Sequence, residues 1–221
     1  MFKYDTHVHT SETSRCGRVP ARETVRLYRD AGYDGIIITD HFCTPFFDSI
    51  SGDWKSKVDQ YLDGYRKALD EGNKSGLKVF LGMEILFDEN LNDYLIYGFE
   101  ESFLYENPGL CSLGLKKFSD FIKGTQIKIV QAHPFRRYIT PADPSLLHGV
   151  EVYNGNPRHD SQNHLALQLA NRHKLSKTSG SDFHQTEDIA RGGMESQYPL
   201  KNMGDFIKLL NDGSFRLIEG K

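Results

Sequence analysis

The sequence of 221 residues lacks any long hydrophobic run, and none of its apolar stretches approaches the roughly 18 residues that a transmembrane helix needs. Residues 1–5 predict a strand and carry no extended apolar segment of the kind found in signal peptides. Cysteine is scarce: Cys16, Cys43 and Cys111 are odd in number and widely spaced, which argues against a disulfide framework. We therefore expect a cytoplasmic protein that does not enter a membrane.

A strong excess of positive charge is missing as well. The formal net charge is −3, and no dense run of lysine or arginine occurs, which argues against tight, non-specific binding to nucleic acid. No internal repeat, linker or low-complexity segment divides the chain. The apolar fraction of 38% is adequate for a core, and we expect residues 1–221 to form one domain.

Strand and helix patterns alternate about seven times along the chain. Predicted strands cover residues 2–5, 35–39, 78–82, 93–98, 128–132, 149–153 and 175–179, with a terminal strand or tail at 215–218. Helical spacing covers the stretch from Pro20 to Gly32 and residues 53–69, 115–123, 159–173 and 202–211. This alternation predicts parallel strands with right-handed crossovers, as in a (β/α) barrel or an open α/β sheet.

Histidines and carboxylates follow these strands at their carboxyl ends. Barrels and open α/β sheets both place their active sites at that edge, so we expect these side chains to meet in one pocket. Imidazoles and carboxylates are good ligands for zinc, iron or manganese. The clusters are His7-x-His9, Thr39-Asp40-His41, Gly82-Met83-Glu84, Ala132-His133-Pro134 and Gly180-Ser181-Asp182-x-His184.

In this order the five motifs resemble those of the PHP (polymerase and histidinol phosphatase) superfamily, and the resemblance extends from Asp5 to His184. It implies an α/β fold, a distorted seven-stranded barrel, with up to three divalent metals (zinc, manganese or iron). By matching motif, it also implies three sets of ligands. The first metal would bind His7, His9, Glu84 and Asp182; Glu84 would bridge to a second metal that also binds His133; and His41 and His184 would bind a third.

Two ligand positions depart from the usual family pattern. The loop after the first motif offers Cys16, which aligns with an acidic position in some members, and Glu12 as the other donor within reach. Between the Glu84 and His133 motifs, where members often have a histidine, the chain offers Asp93 or, further along, Glu100. The sequence leaves both choices open.

The resemblance implies a metal-dependent phosphoesterase. A bound cation lowers the pKa of water from about 15.7 to roughly 7, so a metal-bound hydroxide could attack a phosphate ester of a small molecule or nucleotide. Glu84 would act at the metals, and Arg136 and Arg191 are candidate contacts for phosphate oxygens because guanidinium binds them in a bidentate manner. The alternatives are a nuclease acting on oligonucleotide ends and a non-catalytic metal-binding module of the same fold.

Polar residues outside the motifs receive weaker assignments. Glu151 and Asn154 end the sixth predicted strand, where they could orient a ligand imidazole or serve a purely structural role. The remaining histidines match no motif, and we expect them to be ordinary surface or packing residues. They are His148, His159, His164 and His173.

The five motifs predict metal content directly. We expect the purified protein to bind more than one transition-metal ion per chain, because ligands for at least two sites are present. Elemental analysis after loading with manganese or zinc measures this, and fewer than one ion per chain would contradict the predicted cluster.

Overall fold

The computed structural model describes residues 1–220, and within this range ten strands form one strongly curved sheet. The runs of β-branched and aromatic residues predicted as strands all lie in it. The strands are β1 (Phe2–Val8), β2 (Gly35–Ile38), β3 (His41–Phe42), β4 (Lys78–Leu86), β5 (Asp93–Tyr97), β6 (Lys128–Gln131), β7 (Gly149–Asn154), β8 (Ser176–Gly180), β9 (Gly192–Ser196) and β10 (Phe215–Glu219).

The strand order is β10-β9-β1-β2-β4-β5-β6-β7-β8, and the short strand β3 pairs with β4. Pairing is parallel on both sides of β2 and of β7, as predicted. The prediction of parallel strands is wrong for β5, which is antiparallel to both β4 and β6. Strand β9, which the sequence did not predict, is antiparallel to β1 and β10. Only residues 87–92 connect β4 to β5, too few for a parallel crossover, which needs about a dozen or more.

The sheet curls until β8 approaches β1, which gives a nearly closed barrel. Hydrogen bonds join the two ends: Thr6 Oγ1 donates to the carbonyl of Ser179 at 2.9 Å, and Phe183 N donates to the carbonyl of His7 at 3.2 Å. The predicted barrel-like α/β fold is confirmed, but the predicted count of seven strands is too low. Strand β3 has two residues, and β9 begins Gly192-Gly193, so neither carries the β-branched apolar pattern by which strands are recognised in a sequence.

Eight α-helices occur in residues 1–220 and lie between or after the strands. They are α1 (Ala21–Asp30), α2 (Thr44–Asp48), α3 (Trp54–Tyr61), α4 (Asp63–Ser75), α5 (Glu101–Glu106), α6 (Gly114–Phe121), α7 (Asn163–His173) and α8 (Met203–Asp212). None of the helices in the described part of the chain is both long and apolar enough to cross a membrane.

The single helix predicted over residues 53–69 is two helices that meet at Leu62. Each half is fixed by the loop it packs on. Tyr61, at the end of α3, donates its hydroxyl to the carbonyl of Asp40 at 2.8 Å. Gly64, in the first turn of α4, packs so closely on Thr10 that a Cβ there would lie 2.0 Å from Thr10 Oγ1. The break at Leu62 allows each helix to make its own contact. Hydrophobic periodicity alone does not reveal this break.

Apolar side chains from β1, β2, β4 and β6 fill the barrel with α8 packed against them. Ile37, Phe80 and Val130 belong to one buried cluster that also contains Tyr4 and, from α8, Phe206. Because this cluster occupies one end of the barrel, the polar residues of the strands collect at the other end.

The close approach of β9 to β8 leaves no room for a side chain at Gly192. A Cβ on Gly192 would lie 2.3 Å from the backbone carbon of Gly180, where β8 and β9 pass each other. We expect Gly192→Ala to lower the free energy of unfolding by about 3 kcal/mol, the upper part of the range for overpacking. Urea denaturation measures this. The control Gly204→Ala, at the start of α8, should change stability by less than about 1 kcal/mol. Equal effects of the two substitutions would contradict the close packing of β9 on β8.

Candidate metal centre

The structure brings eight of the predicted metal ligands together at the polar end of the barrel. They form four overlapping groups of three, and within each group one ligand atom per residue lies within 4.8 Å of the others. The groups are His7, His9 and Asp182; His7, Glu84 and His133; His41, Glu84 and Asp93; and His9, His41 and His184.

Strand direction decides between Asp93 and Glu100. Because β5 runs antiparallel to β4, its first residue, Asp93, lies at the polar end, and Asp93 Oδ2 is 4.0 Å from His133 Nε2. Glu100 follows the last residue of β5 and is therefore at the opposite end of the strand, where it precedes α5. The structure thus favours Asp93 and removes Glu100 from consideration.

Glu84 lies at the centre of the cluster and is surrounded by four imidazoles. Its Oε1 atom is 3.2 Å from His7 Nε2 and 3.1 Å from His133 Nε2. Its Oε2 atom is 3.4 Å from His9 Nε2 and 2.9 Å from His41 Nδ1. The side chain comes from near the carboxyl end of β4 and is buried. Its two oxygens therefore face two different pairs of histidines.

Asp182 also lies beside two of these histidines. Its Oδ1 atom is 3.4 Å from His7 Nε2 and 3.5 Å from His9 Nε2. Asp182 and His133 both have positive φ angles, +50° and +29°. A left-handed backbone is strained for residues with a side chain and is concentrated at functional sites, where the surrounding contacts hold it in place.

Hydrogen bonds from buried groups fix which nitrogen of each histidine faces the cluster. His7 Nδ1 is 2.9 Å from Glu151 Oε1, and this carboxylate has only acceptor atoms, so His7 Nδ1 carries a hydrogen and Nε2 is the nitrogen that faces the cluster. His9 Nδ1 is 3.0 Å from Ser14 Oγ, whose own hydrogen goes to Asp40 Oδ1 at 2.7 Å. His9 Nδ1 must therefore be the donor as well, which leaves its Nε2 lone pair facing the cluster.

Several buried polar atoms of the cluster have no hydrogen-bond partner among residues 1–220. Buried polar atoms nearly always have one, so several such atoms in one place indicate a missing charged ligand. Here they are imidazole nitrogens and a carboxylate oxygen, the kinds of atom that divalent transition metals prefer as ligands. The residues therefore fit a cluster of cations. The atoms are His7 Nε2, His9 Nε2, Glu84 Oε2 and His133 Nδ1.

The charges in the cluster are strongly coupled. Burial tends to lower the pKa of His7, but the carboxylates of Glu151, Glu84 and Asp182 outweigh it and raise the pKa well above its ordinary value. Burial lowers the pKa of His9 well below its ordinary value, and the neighbouring imidazoles of His184 and His41 lower it further. His9 is therefore neutral at neutral pH, with Nε2 available to a metal.

The loop after β1 places Cys16, and not Glu12, in the lining of the cavity that also contains His41 and His184. Burial tends to raise the pKa of the Cys16 thiol, but the neighbouring imidazoles of His184 and His41 outweigh it and lower the pKa to about 6. Glu12 points away: its Oε2 accepts a hydrogen bond from Ala21 N at 2.9 Å, and its Oε1 is 3.7 Å from Lys67 Nζ. The prediction of Glu12 as a ligand is therefore not supported by the geometry.

The cluster opens into a cavity of about 410 Å³ that is lined by Glu84 and four arginines. Two of these have acidic partners: Arg136 Nη2 donates to Asp182 Oδ2 at 2.7 Å, and Arg158 Nη2 donates to Asp188 Oδ2 at 2.9 Å. The other two, Arg15 and Arg18, have no acidic side chain of residues 1–220 within 4.0 Å.

Arg191, predicted as a phosphate contact, is not part of this lining. Its Nε donates to the carbonyl of Glu187 at 2.8 Å, which holds the guanidinium outside the cavity. Sequence reasoning instead missed Arg158 and His159, which do line the cavity. Both lie in the loop before α7, whose predicted start at residue 159 was too early, since the helix begins at Asn163.

The remaining polar predictions have clear outcomes. Glu151 contacts His7 as described, and its Oε2 accepts from the backbone N of His133 at 3.1 Å, so it orients two residues of the cluster. His148 has a structural contact, because its Nδ1 accepts from Ile129 N at 3.1 Å. His164 and His173 lie in α7, outside the cluster and the cavity lining.

Comparison with known families and structures gives one family match. The model of the PHP domain family matches residues 5–198. A search of curated proteins found no match.

Similar solved structures share the fold at low sequence identity. One is a two-domain protein from Bacteroides vulgatus ATCC 8482 that contains a predicted PHP-like metal-dependent phosphoesterase (18% identity, TM-score 0.69); the match covers 99% of this chain but only 65% of that one. Another is a candidate metal-dependent phosphoesterase from Bifidobacterium adolescentis ATCC 15703 (20% identity, TM-score 0.51); the match covers 83% of this chain and 88% of that one. A third is an amidohydrolase from Chromobacterium violaceum with bound sulfate and no metal (15% identity, TM-score 0.59); the match covers 96% of this chain and 97% of that one.

The contact between His7 and Glu151 yields a prediction about metal affinity. Glu151→Gln removes the charge that fixes the hydrogen on His7 Nδ1, so we expect metal affinity to fall by a factor of about 10–100, as for other residues that support a metal ligand. Competition with a chromogenic chelator measures this. The control Glu195→Gln, in β9, should leave affinity unchanged; unchanged affinity in Glu151→Gln would show that His7 needs no such support.

Proposed function

The chain belongs to the PHP domain family, and on this premise we propose that it is a metal-dependent phosphoesterase acting on a phosphate ester of a small molecule or nucleotide. The observation that carries the proposal is the position of Glu84 among four imidazoles at the floor of a cavity lined by arginines. Ligands for cations and contacts for an anion therefore share one opening.

The proposed metal ligands follow from the groups described above. His7, His9 and Asp182 would hold one divalent ion. Glu84 would also serve a second ion together with His133, whose Nε2 is 3.1 Å from Glu84 Oε1, and with Asp93, whose Oδ2 is 4.0 Å from the same nitrogen. His41 and His184 would belong to a third site. When bound, such ions supply positive charge to phosphoryl oxygens and lower the pKa of water. Zinc, manganese and iron all suit this donor set.

The arginines would bind and orient the phosphate. Arg15 and Arg18 have no acidic partner within 4.0 Å in residues 1–220, so they are free to pair with phosphoryl oxygens. Arg136 has a second task, because its bond to Asp182 holds that carboxylate towards His7 and His9. Arg136 would therefore support the metal site as well as line the substrate cavity.

The size of the cavity supports a small substrate. A volume of about 410 Å³ falls in the range of roughly 300–1,000 Å³ typical of small-molecule sites. A nuclease would need an extended basic groove with aromatic platforms, and the arginines here surround a single cavity instead.

Cytoplasmic location, a single domain over residues 1–221 and the identity of the metal all stay predictions.

A comparison of two chromogenic substrates tests the proposal. With manganese or zinc added, we expect turnover of p-nitrophenyl phosphate to exceed that of bis(p-nitrophenyl) phosphate. Preference for the diester would favour the nuclease alternative. Binding of metal without turnover of either compound, or of a panel of metabolite phosphates, would favour the non-catalytic module.

Glu84 should be the least replaceable residue of the site. Glu84→Gln keeps the size of the side chain but removes the charge that faces four imidazoles, so it should weaken two metal sites at once. We expect turnover to fall by a factor of about 100 or more, beyond the usual effect of residues that only support a ligand, and bound metal to fall by more than one equivalent. Kinetics and elemental analysis measure the two effects.

The matched control is Glu100→Gln, which changes the same atoms at the other end of β5 and should leave turnover and metal content unchanged. Near-native turnover with a full metal complement in Glu84→Gln would show that Glu84 is not a bridging ligand.

A further inference from the structure

Asn154, the last residue of β7, lies between two charged side chains of opposite sign. Its Nδ2 donates to Glu151 Oε2 at 2.9 Å, and its Oδ1 accepts from Arg136 Nη2 at 2.9 Å. A carboxylate offers only acceptors and a guanidinium only donors, so these two neighbours determine the orientation of the amide. One neutral side chain therefore links the carboxylate to the guanidinium.

A β-bulge in β7 brings Glu151 and Asn154 to the same side of the sheet. The pairing with β8 shifts between Glu151 and Tyr153, where two steps along β7 match one step along β8. Residues three apart in a regular strand point to opposite faces, and the extra residue of a bulge returns them to one face. The backbone N and O of Asn154 also bond to the side chain of Asn163, at 3.0 and 3.1 Å, which fixes this end of the strand.

The Glu151 side of Asn154 leads to two proposed metal ligands. Glu151 Oε1 lies 2.9 Å from His7 Nδ1, and Oε2 accepts from the backbone N of His133 at 3.1 Å as well as from Asn154. Glu151 and Asn154 are both buried. A buried carboxylate oxygen that loses a donor is destabilised. The amide of Asn154 therefore helps to keep Oε1 of Glu151 on His7.

The Arg136 side of Asn154 leads to the cavity, because Arg136 belongs to its lining. All the hydrogen bonds that Arg136 makes within residues 1–220 use Nη2. The acceptors are Asp182 Oδ2 at 2.7 Å, Asn154 Oδ1 at 2.9 Å and Ser161 Oγ at 3.3 Å. These bonds fix the guanidinium at one nitrogen and leave Nη1 available to a phosphate oxygen in the cavity.

The contacts close into a ring that passes through both parts of the proposed site. Its members, in order, are His7, Glu151, Asn154, Arg136 and Asp182, whose Oδ1 lies 3.4 Å from His7 Nε2. Asn154 itself is outside the cavity lining and outside the four ligand groups found in residues 1–220. Any effect of Asn154 on metal or phosphate must therefore act through its neighbours.

We propose that Asn154 is a positioning residue that holds Glu151 for the metal ligands and Arg136 for the phosphate, so that one buried amide supports both binding events. The inference rests on the metal and phosphate binding of the proposed function. An amide suits this place because it donates from one atom and accepts at the other. An aliphatic side chain would leave both charged partners without a hydrogen bond.

Asn154→Ala tests the shared role. We expect it to weaken metal binding, and to weaken binding of inorganic phosphate at saturating metal, each by a factor of about 10, as for the loss of a hydrogen bond to a charged group that supports a ligand. Competition with a chromogenic chelator measures the first affinity, and isothermal titration calorimetry measures the second. An unchanged affinity for either metal or phosphate would overturn the proposal.

Double substitutions separate positioning from a general loss of structure. If Asn154 acts on the metal through Glu151, Asn154→Ala should lower metal affinity by no more than about twofold in a Glu151→Gln background. If it acts on phosphate through Arg136, the same limit of about twofold should hold for phosphate affinity in an Arg136→Ala background. An undiminished loss in either background would overturn the proposal.

Asn202→Ala is the matched control. It removes the side chain that begins α8, where Asn202 Oδ1 accepts from Asp205 N at 3.0 Å. This control should lower the melting temperature and leave both affinities unchanged. Asn154→Ser keeps a hydroxyl that is too short to reach both partners, and it replaces Asn154→Ala if that variant does not fold. The same two losses are expected for it.

The outcomes also separate this inference from the proposed reaction. Wild-type protein that binds metal and phosphate but hydrolyses no ester would contradict the reaction, while the two affinities would still decide the role of Asn154. Phosphoesterase turnover together with unchanged affinities in Asn154→Ala would do the reverse. Wild-type protein that binds neither metal nor phosphate would overturn both.

Discussion

The buried carboxylate of Glu84 is the group on which the rest of the polar end depends. A single charge in a protein interior is costly unless other charges and hydrogen bonds compensate for it. Here the compensation comes from four imidazoles on three other segments of the chain, the end of β1, β3 and the residues after β6, at distances of 2.9–3.4 Å. Burial alone would raise the pKa of Glu84, but the positive charges of His7 and His41 and hydrogen bonds from His133 and His41 lower it well below its ordinary value. The segments that carry these imidazoles must therefore meet at one level of the barrel.

Two buried carboxylates outside the cluster, those of Glu151 and Asp40, hold its histidines in position. Glu151 fixes His7, and Asp40 fixes both the Ser14 hydroxyl that contacts His9 and the start of the loop that carries Cys16. Burial raises the pKa of Asp40 to about 6, and hydrogen bonds from Thr10 and Ser14 limit the shift. Strained backbone at His133 and Asp182 is tolerated in the same way, because several contacts determine each position.

The sequence predicted which motif residues would meet, because ligands that follow successive strands must share an edge of the sheet. His7, Glu84 and Asp182 are examples, although their roles as metal ligands stay a proposal. The sequence could not choose between Asp93 and Glu100, since that choice depends on the direction of β5. It could not choose between Cys16 and Glu12 either, because the loop is shaped by bonds to Asp40, which is distant in sequence.

The seam of the barrel has a consequence for how the chain holds together. Between β1 and β8 the sheet is joined by a few bonds around His7 and Ser179 and not by a long regular ladder. The proposed ligands His7, His9 and Asp182 lie across this same seam, so an ion held by them would act as a cross-link between the first strand and the last quarter of the chain. Closing so long a loop is entropically expensive for an unfolded chain. The ion would thus couple local opening of the barrel to its own departure, and hydrogen exchange at the seam would report metal occupancy.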